Sequence, residues 1–275
     1  MVINPDLLAI AEHLVTDANL DDARLATGQF HDVVLLPGVA AVRIARREAA
    51  AVKLPRRTEL LAHLAVLDLP FAVPAPLGAA QRVDGRMAVA VSWVDGAGQA
   101  KNEGDPRRLA ELLEALAGVD CAALADVLAE PHEYAGGHRW ADVMFDEVVP
   151  RLPEQWQDEG RRRIDAALAL EPVPPALVHG DLGGENVHWD PSGKLIGVLD
   201  WDLASAFDPA IDAACLGWHG WDNIRQAVDA ETFRRARTWY LTFGVEQLGA
   251  AVVNGEPPEV VERYVSGVVA FLERT

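Results

Sequence analysis

Asp181, Asn186 and Asp200 put three oxygen-bearing side chains of the right kinds into one short stretch of chain. Asp181 and Asn186 stand five residues apart in HGDLGGENV, a glycine-containing loop after the apolar run ALV. Asp200 ends a second apolar run, LIGVLD, one hairpin later. An amide oxygen and a carboxylate oxygen are hard ligands of the sort Mg²⁺ takes, with places kept for phosphate oxygens and water. A separate carboxylate can face an acceptor hydroxyl, orient it and take its proton. An aspartate, an asparagine five residues on and a second aspartate downstream is also the order used in phosphoryl transfer from a nucleotide held with Mg²⁺. Either half of the pattern is common by chance, and DWD alone also fits a metal-dependent sugar transferase. The ordered set on strand, loop and strand points to phosphoryl transfer.

Other chemistries lack their residues. There is no GxxxxGK[ST] loop, and DGAGQAKNEG is not a GxGxxG turn, so neither P-loop nor dinucleotide-binding fold is expected. Cysteine and histidine do not recur at zinc spacing. The two cysteines, Cys121 and Cys215, read as buried thiols in a reducing compartment. MVINPDLLAIAEHLVTDANL has no basic start before an apolar core, and the apolar runs elsewhere stop well short of the roughly 18 residues of a membrane span. A cytoplasmic protein away from the membrane is the expectation.

The elements that must position these residues follow from the pattern of the chain. DVVLL and VAAVRIA, joined at Pro37-Gly38, predict a β-hairpin. PRRTELLAHLAVLDL predicts a helix with Pro55 in its first turn and Leu60, Leu61, Leu64 and Leu67 on one face. PFAVPAPLG must be extended, RMAVAVSWV is a strand, and the loop DGAGQAKNEG makes a lobe boundary. The first lobe, residues 1–93, is therefore strands with one helix, and 94–275 form a mostly helical second lobe. There Asp105-Pro106 opens a helix, further helices are expected at 138–149 and 157–170, and the short strands ALVHG, NVHWD and KLIGVLD follow. Asp208-Pro209 starts another helix, with Asp208 as its cap and Asp212 structural. The class is α+β, with two lobes and room for a ligand in a cleft.

Charge divides unevenly. The net charge is −18. Residues 1–93 hold nine basic against ten acidic side chains, whereas 94–275 hold 15 against 32. Such a field repels nucleic acid and anionic lipid and draws cations toward the second lobe.

HGDLGGENV followed by GVLDWDLASAFDPAIDAA resembles the HGDxxxxN and (I/V)DW…DPxxD motifs of the aminoglycoside phosphotransferase-like small-molecule kinases. GQFHDVVLL, AVRIAR, LLAHLAVLDLPFAVPAPLG and VSWVDG resemble that family's nucleotide-covering hairpin, third strand, helix with following strand, and hinge. Within the family, GQFHDVV and LPRRTELLAHLA are most similar to phosphotransferases of the tuberactinomycin antibiotics viomycin and capreomycin. The resemblance implies a two-lobed, protein-kinase-like fold and transfer of the γ-phosphoryl of ATP or GTP, with Mg²⁺, to an antibiotic hydroxyl. Asp181 would be the catalytic carboxylate and Asn186 and Asp200 the metal ligands. His179 would hold the loop, Gly28, Gln29, Phe30 and His31 would lie near the phosphates, and Ser92, Trp93 and Val94 would face adenine. Arg43 stands where the family typically has a lysine; its acidic partner is open between Glu48 and Glu59, with Arg57 at the aligned position. Trp93, Trp189 and Trp201 read as packing residues.

For the acceptor, Glu185, Asp142, Asp146, Glu147 and Asp222 are the carboxylates placed to bind ammonium or guanidinium groups, Asp142 and Asp146 being four apart on one helix. Asp202 could ligate metal or face solvent. A cationic antibiotic is the expected partner of a monomer or weak dimer. An aminoglycoside, a macrolide, an endogenous amino alcohol, or binding without turnover are the alternatives.

Overall fold

The computed structural model describes residues 3–16, 18–28 and 30–275. Along the chain, Asn4 accepts a hydrogen bond from the Asp6 amide at 2.9 Å and Pro5 fills the first turn, opening α1 (Pro5–Leu14). Then come β1 (Arg24–Thr27), β2 (His31–Leu36), β3 (Ala40–Ala45), α2 (Glu48–Leu64), β4 (Gln81–Val83) and β5 (Arg86–Ser92). α3 (Pro106–Ala117) begins as its sequence requires, Asp105 accepting from the Arg107 amide. α4 (Trp140–Asp142), α5 (Glu154–Leu168), β6 (Ala176–Val178), β7 (Val187–Trp189), β8 (Leu195–Val198) and β9 (Ser205–Phe207) follow. α6 (Ala210–Cys215), α7 (Trp221–Ala227), α8 (Ala230–Val253) and α9 (Pro258–Leu272) complete it.

The chain divides into two compact units. The first is residues 1–99 with 122–128 and 185–201; the second is 100–121, 129–184 and 202–275.

In the first unit, five antiparallel strands run in the order β1-β2-β3-β5-β4. Strand alternation sends Val34, Leu36, Val42, Ile44, Ala88 and Ala90 to one face, where they pack on Leu7, Ile10 and Ala11 of α1. The other face meets α2, with Ala45 against Ala50 and Ala51. The unit thus has two helices on its sheet where one was expected. α2 corrects a second expectation. Pro55 lies inside the helix, not in its first turn. An interior proline costs about 3 kcal/mol, but Ala50, Ala51 and Leu54 before it and Leu60, Leu61 and Leu64 after it are all buried. That continuous apolar stripe outweighs the break, and Pro55 itself faces solvent.

β7 and β8 form a hairpin in the same unit, closed by a turn in which Asp190 Oδ1 accepts from the amides of Ser192 and Lys194. It is tied in at both strands: Ala72 pairs with Ile196 and Val198 at 2.8 and 3.0 Å, and Trp189 exchanges two bonds with Ala97. Gly197 permits this approach, because a β-carbon there would stand 2.3 Å from Val94 Cγ1.

The second unit is mainly helical, with α8 packed against α5, α6 and α9. Its one ladder pairs β6 with β9; the SAF segment that makes β9 is too short to announce itself as a strand. The helix expected over 138–149 is instead a succession of short turns. A 3₁₀ turn at Gly137–Arg139 leads into α4, then a π-helical segment at Val143–Val148. No helix among the described residues is long and apolar enough to cross a membrane. Cys121 and Cys215 are free thiols.

Candidate active site

The loop bearing Asp181 belongs to the second unit, and its backbone is held from below. β6 delivers His179, which is fully buried. The His179 amide donates to Asp212 Oδ2 at 2.7 Å and the Gly180 amide to Oδ1 at 2.8 Å. His179 Nδ1 accepts from the Asp181 amide at 3.2 Å, so the imidazole braces the loop and carries its proton on Nε2. Gly180 has φ +81°, and a β-carbon would come within 3.1 Å of the Leu203 carbonyl oxygen. Only glycine meets both demands. The Asp181 side chain is left exposed on this fixed frame.

Asp212, on α6, is 1% exposed. Burial pushes its carboxyl up to about 7, although the two amides pull the other way. Asp208 caps α6 as expected, accepting from the Ala210 amide at 3.0 Å. Its other oxygen accepts from Arg235 at 2.5 Å and from Trp239 Nε1 at 2.7 Å, a buried junction that sequence reasoning did not find.

In the first unit, the open end of the β7–β8 hairpin carries Asn186 and Asp200, the residues expected to ligate metal. Asn186 closes a 3₁₀ turn at Gly184–Asn186, and its carbonyl accepts from the Leu199 amide at 2.8 Å. That bond adds a rung beyond the Val187–Val198 pair, so Asn186 and Asp200 lie at one end of the hairpin. Asp200 has φ +58°, in the left-handed region that L-residues avoid. Its Oδ1 is 3.3 Å from Arg43 Nη2, and the same nitrogen is 3.3 Å from His31 Nδ1. Arg43 is therefore ion-paired with Asp200, while Glu48 pairs with Arg82 and Glu59 is exposed. Arg57 is buried in α2, its guanidinium 5.6 Å above the Phe30 ring.

The donor set fits Mg²⁺: one amide oxygen, one carboxylate, both hard. Among the described residues no three His, Cys, Asp or Glu side chains gather into a cage. Such incompleteness suits an ion that completes its shell with phosphate oxygens and water.

Gly28, Phe30 and His31 form a tight turn. The Gly28 amide donates to the His31 carbonyl at 2.9 Å, and Arg46 donates to the Gly28 carbonyl at 2.7 Å. His31 is buried, its ring turned to Arg43. Gln29 lies outside the described residues. At the expected adenine segment, Ser92 is engaged at both its amide and its hydroxyl by Ala75, at 2.7 and 2.9 Å. Trp93 Nε1 donates to Asp95, and Val94 is buried. Trp189 and Trp201 are buried as expected.

Of the acceptor-side carboxylates, Asp142, Asp146, Glu185 and Asp222 are exposed. Glu147 is 3.6 Å from Arg139. Asp202 is 5% exposed, which removes the solvent-facing alternative. Sequence reasoning also passed over Trp218, 41% exposed, whose indole lies against Gly184.

The chain is similar to viomycin phosphotransferase of Streptomyces vinaceus, with 33% identity over 261 residues covering 86% of this chain and 88% of the relative. Its fold is that of an aminoglycoside 2′-phosphotransferase-IIIa solved as a GDP complex, at TM-score 0.80 and 18% identity over 98% of both chains. A macrolide 2′-phosphotransferase from Brachybacterium faecium superposes at TM-score 0.72 with 20% identity, covering 95% of this chain and 97% of that one. The family model described as "Phosphotransferase enzyme family" matches residues 24–249, and the chain belongs to that family.

Proposed function

We propose that this phosphotransferase moves the γ-phosphoryl of ATP or GTP to a hydroxyl of a cationic antibiotic, and that the acceptor is a tuberactinomycin peptide such as viomycin or capreomycin. The observation that carries the reading is the Asp181 loop: an exposed carboxylate on a backbone pinned by Asp212 and braced by His179. Similarity to a viomycin phosphotransferase supports the choice of acceptor.

The acceptor hydroxyl is oriented by Asp181. Its oxygen bonds to the γ-phosphorus as the bridge to the β-phosphate breaks, the proton passes to the Asp181 carboxylate, and the nucleoside diphosphate leaves. Asn186 and Asp200 would hold Mg²⁺, which would supply neutralisation of charge on the phosphates. Arg43 grips phosphate oxygens through a fork that a lysine lacks. Gly28, Phe30 and His31, with Gln29 between them in sequence, would cover the phosphates. With Ser92 taken by Ala75, Trp93 and Val94 supply the groups that meet the base. Glu185, Asp142, Asp146 and Asp222 draw the cationic acceptor in, and buried Asp202 supports the site from within. Residues 1–93 are the nucleotide-binding lobe and 94–275 the catalytic and acceptor-binding lobe, in a cytoplasmic monomer or weak dimer. Phosphorylation adds negative charge and bulk to a drug that must approach RNA, and so confers resistance.

Mass spectrometry of a panel reaction tests this. The protein, Mg²⁺ and ATP, then GTP, are incubated with viomycin, capreomycin, several aminoglycosides and a macrolide. One added phosphoryl group on the cyclic peptides alone is the expected result. A product only with an aminoglycoside or macrolide rejects the acceptor; no product at all, with nucleotide bound, rejects antibiotics as the substrate class.

A further inference from the structure

Trp218 differs from its buried counterparts Trp189 and Trp201: 41% of it is exposed. It sits in a 3₁₀ turn, Leu216–His219, between α6 and α7. The Cε2, Cδ2 and Cζ2 atoms of its indole lie 3.7–3.9 Å from the point where a β-carbon on Gly184 would stand. The ring therefore flanks the loop that carries Asp181. Scattered apolar residues on a surface are ordinary; an indole held against a catalytic loop is not scattered.

The turn is also rigid. The Trp218 carbonyl accepts from the Asn102 amide at 2.9 Å. His219 is fully buried and its Nδ1–H donates to the Glu103 carbonyl at 2.8 Å. A β-carbon on Gly217 would stand 2.8 Å from the Trp221 ring. The backbone that presents the indole is thus held in place. Four residues on, in the first turn of α7, Asp222 is exposed. An indole face attracts guanidinium and ammonium groups through its quadrupole, more strongly than the other aromatic rings do.

We propose that Trp218 is a specificity-determining residue for the acceptor: its indole receives a guanidinium or ammonium group of the molecule whose hydroxyl faces Asp181, and Asp222 supplies the counter-charge. The assignment rests on the phosphotransferase reading above and names the chemistry by which that site selects its acceptor. It separates acceptors by a cation at a fixed place relative to the reacting hydroxyl, which a diffuse acidic field cannot do.

Two measurements on the wild type, Trp218→Ala and Trp218→Phe test it: calorimetric titration with viomycin in the absence of nucleotide, and steady-state kinetics with viomycin and ATP. The Ala variant is expected to weaken viomycin binding and raise its KM by on the order of tenfold. It should leave kcat and the KM for ATP within about twofold. The Phe variant should recover part of the loss, and Asp222→Asn should raise the acceptor KM by a smaller factor. Unchanged viomycin affinity in Trp218→Ala overturns the inference, as does an equal loss of ATP affinity, the mark of a disturbed fold. A wild type that binds viomycin but transfers no phosphoryl group rejects the phosphotransferase reading, while the titration still reads Trp218. A wild type that binds none of the cationic compounds in the panel overturns the assignment outright.

Discussion

The Asp181 carboxylate is exposed, while its backbone is held through its own amide, His179 and Asp212. Asp181→Asn is therefore expected to keep the melting temperature of the parent while turnover falls by about 10²–10⁴-fold, the range for loss of a positioned proton acceptor. Turnover and thermal melting, measured together, check this. Asp212 is the opposite case, inaccessible and structural. Its carboxyl titrates near 7 in the fold against an ordinary value of 3.8. The folded state thus keeps a proton that the unfolded chain has released. The stability this gives is complete below the ordinary value and is lost as pH rises through about 7. The difference in unfolding free energy between the parent and Asp212→Asn should shrink with rising pH, by up to about 1.4 kcal/mol per pH unit within that window. Denaturant titrations at pH 5, 6, 7 and 8 measure it.

Strand register and helix spacing explain which parts of these elements could be read beforehand. The β2–β3 hairpin announced itself through alternation and Pro37-Gly38, and α3 through Asp105-Pro106. α1 carries an equally plain start at Asn4-Pro5, a signal that a test for a leader does not register. β9 could not be read because three residues hold no periodicity; its pairing with β6 is a tertiary fact. The π-helical turn at Val143–Val148 was hidden too, since apolar spacing alone does not separate it from an α-helix. Pro55 misled because proline is read as a start signal, whereas here burial of Leu54, Leu60 and Leu61 on either side carries the helix through it. A consequence is measurable. Pro55→Ala restores a donor to the Ala51 carbonyl and removes the ring from an exposed helix interior, offset in part by a freer unfolded chain. The variant is expected to be more stable by about 1–2 kcal/mol, read by denaturant unfolding.

At the scale of the whole molecule, the motif that proposes Asp181, Asn186 and Asp200 is local in sequence, whereas the partners that hold these residues come from far along the chain. Arg43 and Asp200 are 157 residues apart, and His179 and Asp212 are 33 apart. The conformation of Asp200, the burial of Asp202 and the exposure of Trp218 depend on what packs around them, which periodicity does not report. Net charge is a global property and was legible in full. With −18 on the chain, the proposed cationic acceptor would be drawn in by a field that salt screens over about 8–10 Å at physiological strength. Raising ionic strength from 20 to 300 mM, values on the order of those that span this screening range, should raise the acceptor KM several-fold and leave kcat nearly unchanged. Steady-state kinetics across a salt series checks it.

The left-handed backbone at Asp200 sets folding against the metal-binding role proposed for that residue. Glycine would adopt that conformation without strain, and the Arg43 pair lost with the carboxylate is half exposed and worth little. Asp200→Gly is thus expected to melt no lower than the parent while losing phosphoryl transfer. Random variation screened for thermal stability alone would drift toward glycine at this position, and only a screen that includes the drug would hold the aspartate.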